Sequence, residues 1–178
     1  MNPEELIDKY YAHQPKLKEI LLRHSHDVAA RALTIVDAHP ELNANRTFVY
    51  EAAMLHDIGI LYTNAPEIEC FGSEHYLCHG ILGAQLLRNE GLPFHARVAE
   101  RHTGTGLTAK VIHQRNLPLP EQDFLPETWE EQIICYADKF YSKSCLDKPK
   151  TLEQVLSSLS RFGVDEMNRF REWNALFE

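Results

Sequence analysis

The sequence predicts an all-α protein, a bundle of helices. Three observations carry that expectation. Apolar residues recur at spacings of three and four through most of the chain. Strand-like alternation is scarce. Glycines and prolines fall between the periodic segments rather than within them. No repeat, low-complexity tract or linker breaks the series, so one domain over residues 1–178 is expected.

The first helix is expected at about Pro3 to Ala12. A long second helix follows Pro15, with Leu17, Ile20, Leu21, Val28, Ile35 and Val36 on one stripe. It ends near His39, because Pro40 disfavours helix at the residue before it. The third runs from about Arg46 to His56 on Phe48, Val49, Ala52 and Leu55, and Gly59 stops it. Leu61 to Glu74 reads as a loop, long enough to be a lid or specificity loop. A fourth helix spans about Glu74 to Asn89 and is closed by Gly91. The fifth, Pro93 to about His102, gives way to Thr103-Gly104-Thr105-Gly106. A short helix near Thr108 to Arg115 precedes the Pro118/Pro120 loop, and a long one runs from Pro126 to about Ser144. The last two cover about Leu152 to Ser160 and Asp165 to Leu176. They pack onto the rest, with Phe162, Phe170 and Trp173 either inside or forming a homodimer face.

With 18 Lys and Arg against 26 Asp and Glu, the 178-residue chain has a net charge of −8. Its 44% hydrophobic and 25% charged residues suit a globular domain and exclude a disordered tail, a collagen or a disulfide-knotted miniprotein. This length can bury a sizeable core. The acidic balance argues against a duplex nucleic-acid partner, which needs a basic surface, but leaves room for a local basic pocket. The acidic N-terminus does not read as a signal peptide, and no apolar run approaches the ~20 residues that span a bilayer. Cys70, Cys78, Cys135 and Cys145 form no CxxC pair and read as reduced thiols. A cytoplasmic protein without a membrane partner is the expectation.

Ten histidines remain to be explained. His24 lies four residues after Ile20 and four before Val28; His56 follows the apolar stripe of the third helix. His79 precedes Leu82, Gly83, Leu86 and Leu87, His102 follows Val98 and Ala99, and Asp138 lies four after Ile134. Helical spacing turns each of these inward, where an unpaired polar group is costly. A cation at their meeting point satisfies them together, and imidazole with carboxylate suits Fe, Mn, Zn or Ni better than Ca or Mg. His56 and Asp57 are adjacent, so on a helix they point about 100° apart. They converge on one ion only where the helix ends. His75, four before His79, falls on the same helical face.

These residues resemble the HD superfamily of metal-dependent phosphohydrolases over roughly residues 20 to 145. His24-Ser25-His26-Asp27-Val28-Ala29 resembles the family's first histidine element. Leu55-His56-Asp57-Ile58-Gly59 is the HDIG form of its signature, and Tyr136-Ala137-Asp138-Lys139 resembles its closing aspartate motif. His79-Gly80-Ile81-Leu82-Gly83-Ala84 and Arg101-His102-Thr103-Gly104 are similar to further elements of the HD-GYP branch and of HD-type dinucleoside-tetraphosphate hydrolases. The stretch from Gly91 to Gly104 resembles a small group of HDIG-domain proteins. Unlike the HD-GYP branch, the chain has Ile60 rather than Lys after HDIG, no GYP tripeptide, and one histidine preceded by Arg101 instead of a histidine pair.

The resemblance implies a helical bundle with a metal site at its centre. It implies that His24, His56, Asp57 and Asp138 hold one divalent metal, and His79 and His102 a second, with Asp57 bridging. Two metals per chain are expected, Fe or Mn foremost, with Zn, Ni, Co or Mg as alternatives. The expected reaction hydrolyses a phosphate ester or anhydride of a nucleotide or similar small molecule through a metal-activated hydroxide. With a single metal, His79 and His102 become phosphate contacts or proton donors beside Asp57. Lys139 is the leading phosphate contact, with His75, Arg101 and Lys143 as further substrate-binding candidates, and Tyr62, Glu69 and Phe71 of the loop after the His-Asp pair are candidates to contact a base or sugar. Two other readings are a di-iron HD-type oxygenase and a non-catalytic metal- or nucleotide-binding regulatory module.

Overall fold

Helix α1 (Pro3–Tyr11) opens on Asn2, whose side chain accepts the Glu4 N–H at 3.1 Å. It begins a computed structural model that describes residues 1–178. Ile7 and Tyr11 are buried, and the Tyr11 hydroxyl donates to the Ile58 carbonyl at 2.8 Å, tying the first helix to the turn after the His-Asp pair. Helix α2 (Pro15–Ala38) starts on a proline, whose missing N–H leaves no helical bond unmade. It packs along α3 (Arg46–Leu55), which Asn45 caps by accepting the Phe48 N–H at 3.0 Å.

A 3₁₀ turn (Ile58–Tyr62) leads into two short antiparallel strands, β1 (Asn64–Ala65) and β2 (Cys70–Phe71), in the register Asn64↔Phe71 and Ala65↔Cys70. The segment expected to be a loop therefore holds a small hairpin. Two-residue strands are too short to produce a visible alternation. A second 3₁₀ turn, Tyr76–Cys78, then takes the place of the first turn expected for the fourth helix. Helix α4 begins only at His79 and runs to Asn89, ending before Gly91 in the left-handed region at φ 76°. Helices α5 (Pro93–Arg101) and α6 (Ala109–Gln114) follow.

Helix α7 is shorter than its apolar pattern predicts, Trp129–Asp138 rather than Pro126 to Ser144. Thr128 and Glu131 form a reciprocal capping box that fixes its start. After Asp138 the bonds tighten to the i−3 type, Phe140 to Ala137 and Tyr141 to Asp138, and the chain leaves the helix. Lys143 is therefore on a turn, not on the helix face. Helices α8 (Leu152–Leu159) and α9 (Val164–Phe177) close the chain. One continuous cluster of 40 buried apolar residues runs from Ile7 to Phe177, so these last helices share the interior of the rest. The Phe170 ring stacks on Tyr136 with centroids 4.9 Å apart, and Phe162 and Trp173 are buried as well, so these side chains serve the interior. The fold is all-α, as predicted, and no helix is long and apolar enough to cross a membrane.

Gly59 does not act as a helix stop, because α3 has already ended at Leu55. A Cβ there would lie 2.2 Å from the His79 carbonyl oxygen and 2.3 Å from the Gly83 nitrogen. The turn after the His-Asp pair thus touches the α4 backbone directly. That contact sets where His79 begins its helix.

Gly59→Ala should destabilise the protein by about 3 kcal/mol or more, since its clashes are with backbone and cannot be relieved by a rotamer. Gly91→Ala meets open space and should cost only about 1 kcal/mol, for its left-handed backbone. Urea unfolding of the two variants checks the contrast. Equal losses would show that the Gly59 contact yields.

Candidate metal centre

Five of the six inward-facing residues sit at helix ends. His56 is the C-cap of α3 and Asp57 follows it; His79 opens α4; His102 is the C-cap of α5; Asp138 closes α7. His24 alone lies within a helix, on the buried face of α2. The chain leaves the helix between His56 (φ −56°) and Asp57 (φ −104°, ψ 9°), which lets two neighbours in sequence converge. Helices α3, α5 and α7 all direct their C-termini, the negative ends of their dipoles, at this point, which favours a cation there.

The side chains form two groups that share Asp57. His24, His56, Asp57 and Asp138 offer ligand atoms all within 4.8 Å of one another, and so do Asp57, His79 and His102. One oxygen of Asp57 faces each group. Oδ2 lies 3.1 Å from Nε2 of both His24 and His56, while Oδ1 lies 3.4 Å from His79 Nε2 and 3.3 Å from His102 Nε2. Asp138 Oδ1 completes the first group at 3.0 Å from His24 Nε2. The structure thus brings together all six residues singled out in the sequence.

The donor chemistry fits a cation. His56, His79 and His102 each direct Nδ1 at the carbonyl oxygen three residues earlier, Ala53, Tyr76 and Ala99, at 2.6, 2.6 and 2.7 Å. A carbonyl only accepts, so Nδ1 carries the proton, and whenever the ring is neutral its Nε2 lone pair points inward. His79 and His102 then face each other through Nε2 at 3.0 Å, two acceptors with no donor between them. Asp57 is fully buried and neither oxygen makes a well-formed hydrogen bond, although the Lys143 ammonium pairs with Oδ2. Unpaired acceptors converging in a buried space are what a divalent metal satisfies.

Charge divides the two groups. Burial alone would raise Asp57, but Lys143 and His56 hold it well below the usual carboxylate range. Asp138 is held low against burial by Lys139, His24 and His56. Burial works to neutralise His56 too, yet Asp57 and Asp138 lift it to about 9. Burial pushes His79 down to about 3 and lowers His102 as well. Without a metal, His56 and Lys143 are the counter-ions of the buried carboxylates.

A cavity of about 740 Å³ opens over the second group, reaching His79, His102 and Asp138. Lys139 and Lys143 line it; Lys139 Nζ donates to the His102 carbonyl at 2.8 Å and pairs with Asp138 Oδ2 at 2.7 Å. His75 also lines the cavity, but not from a helix face: it caps the Tyr76–Cys78 turn, its Nδ1 accepting the Leu77 N–H at 3.1 Å. Arg101 does not line it. Its guanidinium is committed to the Leu125 carbonyl at 2.6 Å and to Glu127 at 2.8 Å, which removes it from the substrate-binding candidates. Tyr62, Glu69 and Phe71 are absent from the lining too, because the hairpin turns Glu67 and Ile68 towards the cavity instead. Sequence reasoning missed Arg115, Lys150 and Arg161, which line it from three separate segments and match no motif.

Comparison with known proteins gives a consistent family and a mixed set of names. The HD domain family matches residues 21–142. A tRNA (cytidine(56)-2'-O)-methyltransferase of Picrophilus torridus is 32% identical over 139 residues, 78% of this chain and 35% of that enzyme. An enzyme of the same name from Thermoplasma volcanium is 28% identical over 163 residues, 91% of this chain and 41% of that one. The chain therefore spans about two-fifths or less of the length of these relatives. Among solved structures, the HD domain of the L. monocytogenes phosphodiesterase PgpH matches with a TM-score of 0.53 and 17% identity, over 97% of this chain and 99% of that one. That likeness is one of fold.

The charge pattern predicts the pH dependence of the metal-free protein. His56, raised from 6.5 to about 9, adds stability that is fully present below pH 6.5 and lost as the pH rises through about 9. His79 and His102, lowered, and Asp57 and Asp138, lowered, each cost stability as the pH falls below the ordinary value of the group. Chelated protein should therefore melt highest near pH 6.5. Metal loading should flatten the alkaline decline, since a bound ion replaces the His56 proton. Melting curves from pH 5 to 9.5, with and without metal, test this. An alkaline decline of the same size in both would refute it.

Proposed function

The chain belongs to the HD-domain family, and from that premise we propose that it is a metal-dependent phosphohydrolase acting on a small phosphorylated molecule, a nucleotide or a compound like one. One observation carries the reading. A fully buried carboxylate, Asp57, presents one oxygen to each of two imidazole groups at the floor of a cavity lined with cations. His24, His56, Asp57 and Asp138 would hold one divalent ion, and Asp57, His79 and His102 a second. The N and O donor set suits Fe or Mn, with Zn, Ni or Co also compatible. When bound, such ions supply a water of lowered pKa and positive charge to offset that developing on the phosphoryl oxygens.

The chain's own groups do the rest. Asp57 belongs to both groups, with one oxygen towards each, and would be shared by the ions they held. The backbone carbonyls of Ala53, Tyr76 and Ala99 hold three rings in the metal-ready tautomer. Lys139, anchored on the His102 carbonyl, holds its charge at the cavity wall for a phosphate oxygen. Lys143, paired with Asp57 and lining the cavity, would be free to offer its ammonium to the same phosphate once a metal engaged that carboxylate. His75 accepts through Nδ1, so its neutral ring carries the proton on Nε2, from which it is able to donate to a substrate oxygen. The methyltransferase name of two relatives describes chains more than twice as long. The part aligned here carries the buried histidine and aspartate groups, which supports a hydrolytic role for this part.

Protein purified without chelator should contain metal and, after reconstitution, hydrolyse at least one member of a panel of nucleoside mono-, di- and triphosphates, cyclic nucleotides and dinucleoside polyphosphates. Asp57→Asn keeps the shape, removes the bridging charge and should abolish both metal retention and hydrolysis. His79→Ala should lower the stoichiometry from two metals towards one. Elemental analysis with a phosphate-release assay provides both readings. Full activity in the Asp57 variant would sink the proposal.

A further inference from the structure

Most cations of this acidic chain are matched by carboxylates, and of those that are not, three line the cavity. Of ten arginines, six pair with Asp or Glu: Arg23, Arg31, Arg46, Arg88, Arg97 and Arg101. Arg169 and Arg171 bond to Thr105 and Asn168. The remaining two, Arg115 and Arg161, have neither kind of partner, and both line the cavity. Arg161 lies over the Phe162 ring at 4.8 Å and makes no other polar contact. Lys150 joins them on the wall and also lacks an ion pair. Its backbone N–H is pinned to the Phe140 carbonyl at 2.7 Å, which holds it there.

These three come from the end of α6, the approach to α8 and the end of α8. Together with Lys139 and Lys143 they put five cations around the cavity against two carboxylates, Glu67 and Asp138. Lys139 and Lys143 already answer Asp138 and Asp57. Unpaired like charges lining one cavity offer an anion a site that completes their charge, and of the unpaired three only Lys150 is partly buried. Burial chiefly lowers the pKa of Lys150; Asp138 works against that, and Lys139, Arg161 and Lys143 add to it.

We propose that Arg115, Lys150 and Arg161 form a second anion subsite, for a phosphate group other than the one presented to the histidine and aspartate centre. The cavity then takes a compound with at least two phosphate groups. This deepens, and rests on, the phosphohydrolase reading. The cavity volume of about 740 Å³ falls in the range of small-molecule sites. The overall charge of −8 disfavours a long polyanion, so a small ligand is the better match.

The test compares two non-hydrolysable probes, methylphosphonate and methylenediphosphonate, by calorimetry on the intact metal-loaded protein. Metal content is measured again afterwards, because diphosphonates chelate. Wild type should bind the diphosphonate about tenfold or more tightly than the monophosphonate. Arg115→Ala, Lys150→Ala and Arg161→Ala should each lower diphosphonate affinity about three- to tenfold and leave the monophosphonate within about twofold. Lys150→Arg should retain the preference. Arg115 and Arg161 are exposed and hold nothing in place, so their variants should melt like wild type. Equal affinity for the two probes, or equal losses for both in the variants, would overturn the proposal. Tighter binding of a single-stranded RNA oligonucleotide than of the diphosphonate would overturn it too, by assigning the patch to a polymer. Failure of the two readings is separable. A diphosphonate preference that the variants erode, without hydrolysis of any phosphate compound, leaves the subsite and removes the hydrolase. Hydrolysis of monophosphates with no diphosphonate preference does the reverse.

Discussion

A carboxylate with no access to water must be answered by positive charge or by donors, and Asp57 is such a group. Much of the architecture follows from answering it. Four imidazoles from α2, α3, α4 and α5 bring Nε2 within 3.4 Å of its two oxygens. Three helices end at it with their negative termini, and that arrangement lowers the energy of a cation and raises that of an empty site. The same carbonyls that terminate α3 and α5 also orient His56 and His102. Helix termination and ligand orientation are therefore one event in this fold, which is why the residues sit at helix ends rather than along helix faces.

Precision in the second group depends on contacts that carry no charge. The Gly59 and Gly83 backbones touch, and a Cβ at Gly80 would stand 2.7 Å from the Ala99 carbonyl, whose oxygen also bonds to His102. Helix α4 is thus wedged between the turn after Asp57 and the end of α5. Its first residue, His79, meets His102 as a result of that wedge. Displacing α4 by the width of a methyl group would separate Nε2 atoms that now stand 3.0 Å apart.

The helices were largely legible because apolar periodicity reports burial. His24, His56, His79, His102 and Asp138 were legible for the same reason, as polar residues where apolar ones were due. Periodicity reports burial without reporting backbone state, however. Tyr141 continues the stripe of α7 although the helix has ended at Asp138. Cys78 and Tyr76 continue that of α4 although they form a 3₁₀ turn. Gly59 looks like a helix stop in the sequence because a close backbone approach across the fold leaves no local trace. Arg101 was drawn in by its place beside His102, yet neighbours on a helix point apart, and it faces Glu127. Arg115, Lys150 and Arg161 leave no trace in the sequence, since only tertiary structure brings their segments to one cavity.

The ion pair between Lys143 and Asp57 changes what loading this site means. The ammonium is carried on the turn after α7, so the metal-free chain already holds a cation of its own against the deepest carboxylate. Entry of a metal is then an exchange and not the filling of a void. A tethered competitor of this kind acts at an effective concentration of order millimolar or above. Weakly held ions lose that contest and strongly held ones win it. Any ion the site takes up must displace a charge that the chain itself supplies.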